Sequence, residues 1–521
     1  MAALQASSAE FETKSPAAAQ GTSWRLVLLV FLVALGVRSV HLTRPLLGNF
    51  ATKNAAYGMI ARNFARGNAP VWRPTLDVMV NGQRGAHLLE VPLSAYAAGL
   101  GWKICGGSLD TWGRAVSAIL SALTAALLTV LGGRWFGTRV GLAAGLALAF
   151  APVSIIYGQS FMLEASVAFF VVAAMLSLDV WASQQRRFFW LVVCGLSLAA
   201  LFLTKIFMLV ILWPIVGLGM FRRSKRAVSS TPVGDQRYRE DHKAGRIALS
   251  VVLLLACLPA LAWVGYVFTT SDPDVESVPV FYSLRNSATA HAWPPPILRS
   301  PEFYQQFLDD LMSVFITPIG FVLALLGIAN RSWFCLIPWL GSCVALVLAL
   351  PLKFHEMNYY WVPLLPPVCL LIGVGWRNLT ENLRFRGGWW RTLFLGVVVI
   401  LTARYSLRPA FVTPAEDRSV VAAAEAAQEF TSEDDLVVTI HGTSIDLLYY
   451  CDRRGWALSV NDPKLGERIS ELANAGARVL VVANKDAVPA SVRREWESSY
   501  TVLREGTEFI VFRLPAQNQA K

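Results

Sequence analysis

The sequence predicts an α-helical polytopic membrane protein that ends in a small extracytoplasmic α/β domain. Three observations predict it. The chain has 521 residues, of which 55% are hydrophobic and only 16% charged, more apolar surface than a soluble domain needs. Several apolar runs reach at least ~18 residues, and a helix of about 20 crosses a ~30 Å hydrocarbon core. After about residue 409 the pattern changes to short strand-like and helical segments.

The elements follow in order. Residues 1–23 are polar, rich in Ala and Ser, and lack a cleavable signal pattern, so they read as a cytoplasmic tail before an uncleaved anchor. Spans are expected near 25–43, 113–133, 140–157, 162–182, 188–203, 206–221, 247–269, 313–329, 333–351, 361–376 and 393–408, about eleven in all. The loops between them sort by charge. One set carries Arg134 and Arg139, Arg186 and Arg187, the basic run from Arg222 to Arg246, Arg331, and Arg377 to Arg391. The positive-inside rule makes these cytoplasmic. The outer loops are then 44–112, 271–312 and 352–360, with the short turns at Tyr157–Glu164 and Thr204-Lys205. Val91 to Gly107 is apolar, but a crossing there would invert every later loop. Its length and its Gly99, Gly101 and Lys103 fit a helix lying in or re-entering the outer interface.

Residues 24–410 thus form the membrane domain and 411–521 the C-terminal one. In the latter, Leu436–Ile440, Val479–Val482, Tyr500–Leu503 and Phe509–Phe512 read as strands, and 417–430, 464–475 and 490–497 as helices. That alternation implies a largely parallel sheet. No GxGxxG or GxxxxGK[ST] is present, so no nucleotide-binding motif stands behind it.

Composition excludes several classes. The net charge of +11 sits mostly in short loops and forms no aromatic-interleaved basic stripe, so no nucleic-acid partner is expected. Of the seven cysteines, Cys194, Cys257, Cys335, Cys343 and Cys369 lie in apolar spans, Cys105 lies in the interfacial segment, and Cys451 has no partner in the tail. No disulfide framework, CxxC pair or metal-ligand cluster is visible.

Ionisable residues beside or within a membrane are costly, which makes each a functional candidate. The first outer loop carries Lys53, Arg62, Asn63, Asp77, His87 and Glu90. Glu164 opens a span, Lys205 sits between two short spans, and His355, Tyr359 and Tyr360 precede Pro363. Each has a plainer reading. A carboxylate suits a helix start, a lysine or arginine snorkels to headgroups, and tyrosines form interfacial belts.

Six of these motifs occur in order: Tyr57 with Ile60-Ala61-Arg62-Asn63, the E-x-P-L-x-x-Y element Glu90–Tyr96, Gly113-Arg114, Glu164, Thr204-Lys205, and the H-x(3)-Y-Y-x(2)-P element His355–Pro363. On these the chain resembles the bacterial polytopic glycosyltransferases that use lipid-linked sugars. That superfamily has the GT-C fold and includes the dolichyl- or polyprenyl-phosphate-mannose-protein mannosyltransferases and the aminoarabinose transferases. The resemblance covers roughly residues 25–410.

It implies a membrane enzyme, placed in the bacterial inner membrane, that moves a sugar from a polyprenyl-phosphate carrier to an extracytoplasmic protein, lipid or glycan, with inversion. Its expected partners are that lipid-linked sugar, the acceptor and membrane lipid. It also implies roles: Glu164, Glu90 and Asp77 as catalytic carboxylates, and Lys53, Tyr57, Arg62, Asn63, Arg114, Lys205, His355, Tyr359 and Tyr360 as substrate-binding groups. Lys205 and Arg114 would hold the phosphate, because a leaving phosphate needs cations where its charge develops. The acceptor needs a base within hydrogen-bond reach. No cofactor is assigned and a divalent cation stays open.

One departure stands out. The resemblance places an acid just before Ile60, yet Phe50 to Met59 contain none, and Lys53 stands in that stretch. Three readings stay open: another group serves as base (Glu90, Asp77, Glu164 or His355), the reactants need less help, or the chain is a silent binder of lipid-linked sugar. A polar-solute transporter is the remaining class. Ionisable residues gathered at one face and no obvious repeat between the halves weigh against it.

Overall fold

The computed structural model describes residues 22–48, 50–183, 188–218, 236–272, 274–276, 295–329, 331–382, 388–411 and 418–515. Helices at Trp24–Ser39, Leu109–Phe136, Thr138–Phe150, Pro152–Gly158, Glu164–Ser183, Phe188–Thr204, Gln236–Thr270, Thr317–Ile328, Ile337–Ala349, Leu365–Asn382 and Gly388–Phe411 fall on the expected apolar runs. Among the described residues, four helices are long and apolar enough to cross a membrane: Leu109–Phe136, Glu164–Ser183, Lys243–Thr270 and Asn358–Glu381. Counting two bent pairs as one span each brings the number to 6. The run expected at 206–221 is a tight turn over Ile206–Ile211 leading into a short helix that ends at Leu218. The interfacial segment is a helix, Leu93–Cys105, whose 13 residues are fewer than a crossing takes.

Both bends have a sequence cause. Thr138–Phe150 and Pro152–Gly158 meet at 60°, and Pro301–Phe315 and Thr317–Ile328 at 105°. Pro152 has no N–H to give the carbonyl four residues back, and Pro318 follows Thr317, whose backbone is left-handed at φ 69°. At the first bend a fully buried arginine takes over the freed groups. Arg38 donates to the carbonyls of Ala149 (3.1 Å) and Leu148 (3.3 Å), to that of Ala34 (2.9 Å), and to the hydroxyls of Ser121 and Ser154 (both 2.7 Å). Gly158 makes room for it, since a Cβ there would lie 2.7 Å from the arginine Nε. Broken helices persist in a membrane only where side chains re-satisfy the backbone in this way.

The C-terminal residues form a sheet with strands β3 (Leu436–Ile440), β4 (Arg454–Leu458), β5 (Ala477–Ala483), β6 (Thr501–Glu505) and β7 (Phe509–Arg513). It does not end there. The first loop supplies β1 (Thr75–Val80) and β2 (Gln83–Ala86), giving the order β2-β1-β4-β3-β5-β7-β6. Pairings β1/β4, β4/β3 and β3/β5 are parallel; β1/β2, β5/β7 and β7/β6 are antiparallel. The sheet is therefore mixed, where the sequence pattern pointed to a largely parallel one. The reason is that β6 and β7 are joined by a tight turn instead of a crossover helix. Helices Ser419–Glu429, Leu465–Asn474 and Ala490–Ser499 match those expected, and a short helix, Asp446–Cys451, adds to them.

That short helix locks the tail to the first loop. Tyr449 and Tyr450 donate their hydroxyls to the two carboxylate oxygens of Asp110, at 2.6 and 2.7 Å. The Tyr449 ring lies against Gly58 on helix Ala51–Ala65, where a Cβ would come within 2.6 Å of it. The sheet, the first loop and the start of Leu109–Phe136 thus hold one another.

Candidate active site

Helix Ala51–Ala65 places Lys53 and Tyr57 four residues apart, on one face. Glu90 follows the β-hairpin and is tied to the end of helix Phe188–Thr204 by the Val91 N–H, which donates to the Leu203 carbonyl at 3.1 Å. That bond sets Glu90 beside Lys205, which stands in extended backbone between two helical segments. Glu164 is the first residue of its helix, where the helix dipole favours a carboxylate.

These four charges meet. Lys205 Nζ lies 3.2 Å from Glu90 Oε2 and 3.6 Å from Glu164 Oε1, and Lys53 Nζ lies 3.5 Å from the same Glu164 oxygen. Tyr57 donates its hydroxyl to Glu90 Oε1. Aromatic rings close the cluster. Lys53 Nζ sits 4.0 Å above the Tyr359 ring, and Tyr359 stacks on Tyr360, which stacks on Phe207. Between them lies a small cleft lined by Glu164, Val167, Lys205, Phe207, Tyr359, Tyr360 and Pro363.

The two carboxylates differ in what remains unused. Both Glu90 oxygens are occupied. Glu164 Oε2 is buried without a hydrogen-bond partner. Among the four ions, Lys53 is the most accessible, its side chain 23% exposed against 3% for Glu164.

The electrostatics follow from burial and pairing. Burial alone would raise the Glu90 carboxyl, but Lys205, Lys53 and the Tyr57 hydroxyl pull it down to about 2. Burial works against the Lys205 ammonium, yet Glu90 and Glu164 raise it well above the usual lysine value. Lys53 moves the other way: burial lowers it, Lys205 adds to the lowering, and Glu164 and Glu90 restore only part. Burial and Glu90 raise the Tyr57 phenol, so it stays a donor.

The other expected site residues lie elsewhere. Asp77 is held on both oxygens, by Arg62 at 2.7 Å on one and by Asn63 and Arg84, each at 3.1 Å, on the other. Arg62 also meets Asp452 and the Tyr449 carbonyl, each at 2.9 Å. Arg62, Asn63 and Asp77 therefore join the first loop to the tail and do not line the cleft. The helix turns Arg62 and Asn63 onto a different face from Lys53, which sequence order alone does not reveal. Arg114 spends its guanidinium on the carbonyls of Gln159 (2.5 Å), Pro45 (2.7 Å) and Arg44 (3.1 Å). His355 packs against Phe303, and its carbonyl accepts a bond from Gln306. Of the loop 271–312, Tyr282, Arg285, His291 and Trp293 lie outside the described residues.

Two groups were not assigned a role from sequence. Arg38 was visible as a charge inside an apolar run. His87 stands three residues before Glu90 and is buried beside the cluster. Among the described residues no three His, Cys, Asp or Glu side chains gather in a way that could hold a metal. The donor set does not suit a divalent cation either, because ammonium groups occupy Glu90 and one oxygen of Glu164.

Residues 90–234 match the family model described as dolichyl-phosphate-mannose-protein mannosyltransferase. No curated protein sequence matches the chain. The fold superposes on ArnT from Cupriavidus metallidurans bound to undecaprenyl phosphate, with TM-score 0.62 and 15% identity over 95% of this chain and 98% of that one. It also superposes on the archaeal oligosaccharyltransferase AglB from Archaeoglobus fulgidus in complex with an inhibitory peptide and a dolichol-phosphate, with TM-score 0.56 and 10% identity over 95% of this chain and 74% of that one. A third match is the arabinofuranosyltransferase AftD from Mycobacteria, with TM-score 0.54 and 12% identity over 95% of this chain and 42% of that one. The chain has the GT-C fold of these membrane glycosyltransferases, and its residues 90–234 are mannosyltransferase-like.

Proposed function

We propose that this protein is a membrane glycosyltransferase that moves a sugar from a polyprenyl-phosphate carrier to an acceptor outside the cytoplasm, with Glu164 as the general base. The observation that carries the reading is the buried cluster of Glu90, Lys205, Glu164 and Lys53, with Glu164 Oε2 left unpartnered beside an aromatic cleft. The loop charges expected to lie in the cytoplasm support a location of this cluster at the outer face of the membrane. The two neighbours solved with undecaprenyl phosphate and with a dolichol-phosphate support a lipid-phosphate ligand.

The chemistry is a single displacement. The acceptor hydroxyl or amine attacks the anomeric carbon and gives its proton to Glu164 Oε2. The bond between that carbon and the phosphate oxygen breaks, and its electron pair leaves on the lipid phosphate. One displacement inverts the configuration. Lys205 and Lys53 meet the growing phosphate charge in a desolvated site, where preorganised cations act most strongly. Glu90, spent on Tyr57 and Lys205, positions the lysine. Asp77 and Arg114, expected from sequence to be a catalytic carboxylate and a phosphate ligand, act here as structural anchors.

A second reading has one observation in its favour. Lys53 lies 3.5 Å from the proposed base and offsets its charge, as a silent binder of lipid-linked sugar would permit. One assay separates the two. Purified protein is given a radiolabelled polyprenyl-phosphate sugar with membrane-extract acceptors, beside Glu164→Gln and Lys205→Ala. Transfer by wild type, lost in both variants, is the expected result. Donor binding without transfer by wild type selects the silent binder, and full transfer by Glu164→Gln overturns the base assignment.

A further inference from the structure

The mechanism above leaves a buried imidazole near the cluster unused. His87 is 7% exposed, and its Nδ1 has no hydrogen-bond partner. Its backbone is fixed, with the N–H donating to the Pro74 carbonyl at 2.8 Å, so the ring is carried by an ordered segment. A buried imidazole nitrogen without a partner is costly to keep. Such groups in a native structure call for an account, and an absent ligand is one.

The charges that face the ring come from every element around it. Glu90 lies on its own segment, Lys53 on helix Ala51–Ala65, Lys205 after helix Phe188–Thr204, and Glu276 on the segment following the long helix that ends at Thr270. That last segment is stitched to the first loop beside the ring. The Ala86 N–H donates to the Val275 carbonyl at 2.9 Å, and Ala86 pairs with Glu276.

Charge accounting then narrows the role. Lys53 and Lys205 carry two positive charges, and Glu90 and Glu164 two negative ones, so the paired cluster is neutral. Each lysine is already engaged by a carboxylate. A phosphate entering this site adds negative charge, and that charge grows when the sugar leaves. The only side chain in the cluster whose ordinary titration lies near neutral pH is the imidazole.

We propose that His87 is a further substrate-binding residue of this site, a hydrogen-bonding partner for the phosphate of the lipid carrier that takes up a proton as the phosphate arrives. The proposal rests on the lipid-phosphate reading and adds a residue and a proton to it. Burial, with Lys53 and Lys205, holds the imidazole below the usual histidine value, so the ring starts neutral. A phosphate against Nδ1 reverses the balance. No bond to carbon or phosphorus is made by the ring; one proton moves from solvent to imidazole.

The test is calorimetric titration of the full-length purified protein with a C55 polyprenyl phosphate, and with the polyprenol of the same length. Titrations in two buffers of different ionisation enthalpy count the protons. Wild type is expected to prefer the phosphate and to take up part of a proton on binding it between about pH 7 and 8. His87→Leu should bind the phosphate about 10-fold more weakly and take up no proton, with polyprenol binding unchanged. His87→Gln, which keeps an amide for hydrogen bonding, should recover part of the affinity and none of the proton uptake. It decides the matter if the leucine variant also loses polyprenol. Unchanged phosphate affinity and proton uptake in His87→Gln and His87→Leu overturn the role of His87 alone. No preference of wild type for phosphate over polyprenol overturns the lipid-phosphate reading and this inference with it.

Discussion

Two buried ionic clusters hang from the same helix, Ala51–Ala65, and they are built to opposite ends. Around Asp77, both carboxylate oxygens are taken by Arg62, Asn63 and Arg84, and Arg62 reaches on to Asp452 and Tyr449, leaving only its Nε unused. Around Glu164, each lysine has a carboxylate, yet Glu164 Oε2 is left over at a cleft, and the buried His87 Nδ1 also has no hydrogen-bond partner. A fully satisfied buried network rigidifies and specifies a shape; an unpartnered carboxylate oxygen at a cleft calls for a functional account. Both clusters draw on polar residues of the first loop, and nothing local in the sequence tells them apart. What separates them is hydrogen-bond capacity left after folding.

The sharpest way to break this comparison is to neutralise the base. Glu164→Gln should cut sugar transfer by roughly 10²- to 10⁴-fold, the range for a lost general base, in a steady-state assay with labelled donor. Asp77→Asn should do the reverse. Its cost falls on stability, about 3–5 kcal/mol for breaking a buried ion pair by removing one partner, read as a lower unfolding temperature in detergent. Arg38→Met leaves the carbonyls at the Pro152 bend and two serine hydroxyls without their donor. A loss of about 1–3 kcal/mol is expected, measured the same way.

The smallest effect concerns pH. Glu90 has its folded value depressed from 4.5 to about 2, so its pairing stabilises the fold above about pH 4.5 and that contribution drains away as pH falls toward 2. Tyr57→Phe removes one of the groups holding Glu90 down. The acid edge of a pH–stability curve should then move to higher pH by a fraction of a unit, with the neutral-pH side unchanged. An edge that stays in place would mean that the Tyr57 hydroxyl does not support the Glu90 charge.

Sequence reasoning gathered much of the cleft because membrane topology did the long-range work. Lys53, Glu90, Glu164, Lys205 and Tyr359 lie far apart in the chain, but loop charge put all of them on one side. It failed where a residue's facing direction decides. Arg62 and Asn63 share a helix with Lys53 but not its neighbours, and Arg114, in the second turn of helix Leu109–Phe136, turns onto three carbonyls. In the tail, Leu436–Ile440 is apolar but for Thr439, rich in β-branched residues, and reads as a strand. Arg454–Leu458 has an arginine and a glycine in its first two positions, and its strand character comes from pairing with β3. The joining of β1 to β4 rests on one residue pair, Val78 with Gly455, and has no local signature at all.

The most direct test of the central claim is sugar transfer per folded molecule, measured side by side for wild type, Glu164→Gln and Asp77→Asn, with the folded fraction taken from size-exclusion profiles. The account predicts that Asp77→Asn transfers at close to the wild-type rate per folded molecule while Glu164→Gln falls by at least about 100-fold. Equal losses in the two variants, or a loss confined to Asp77→Asn, would contradict it.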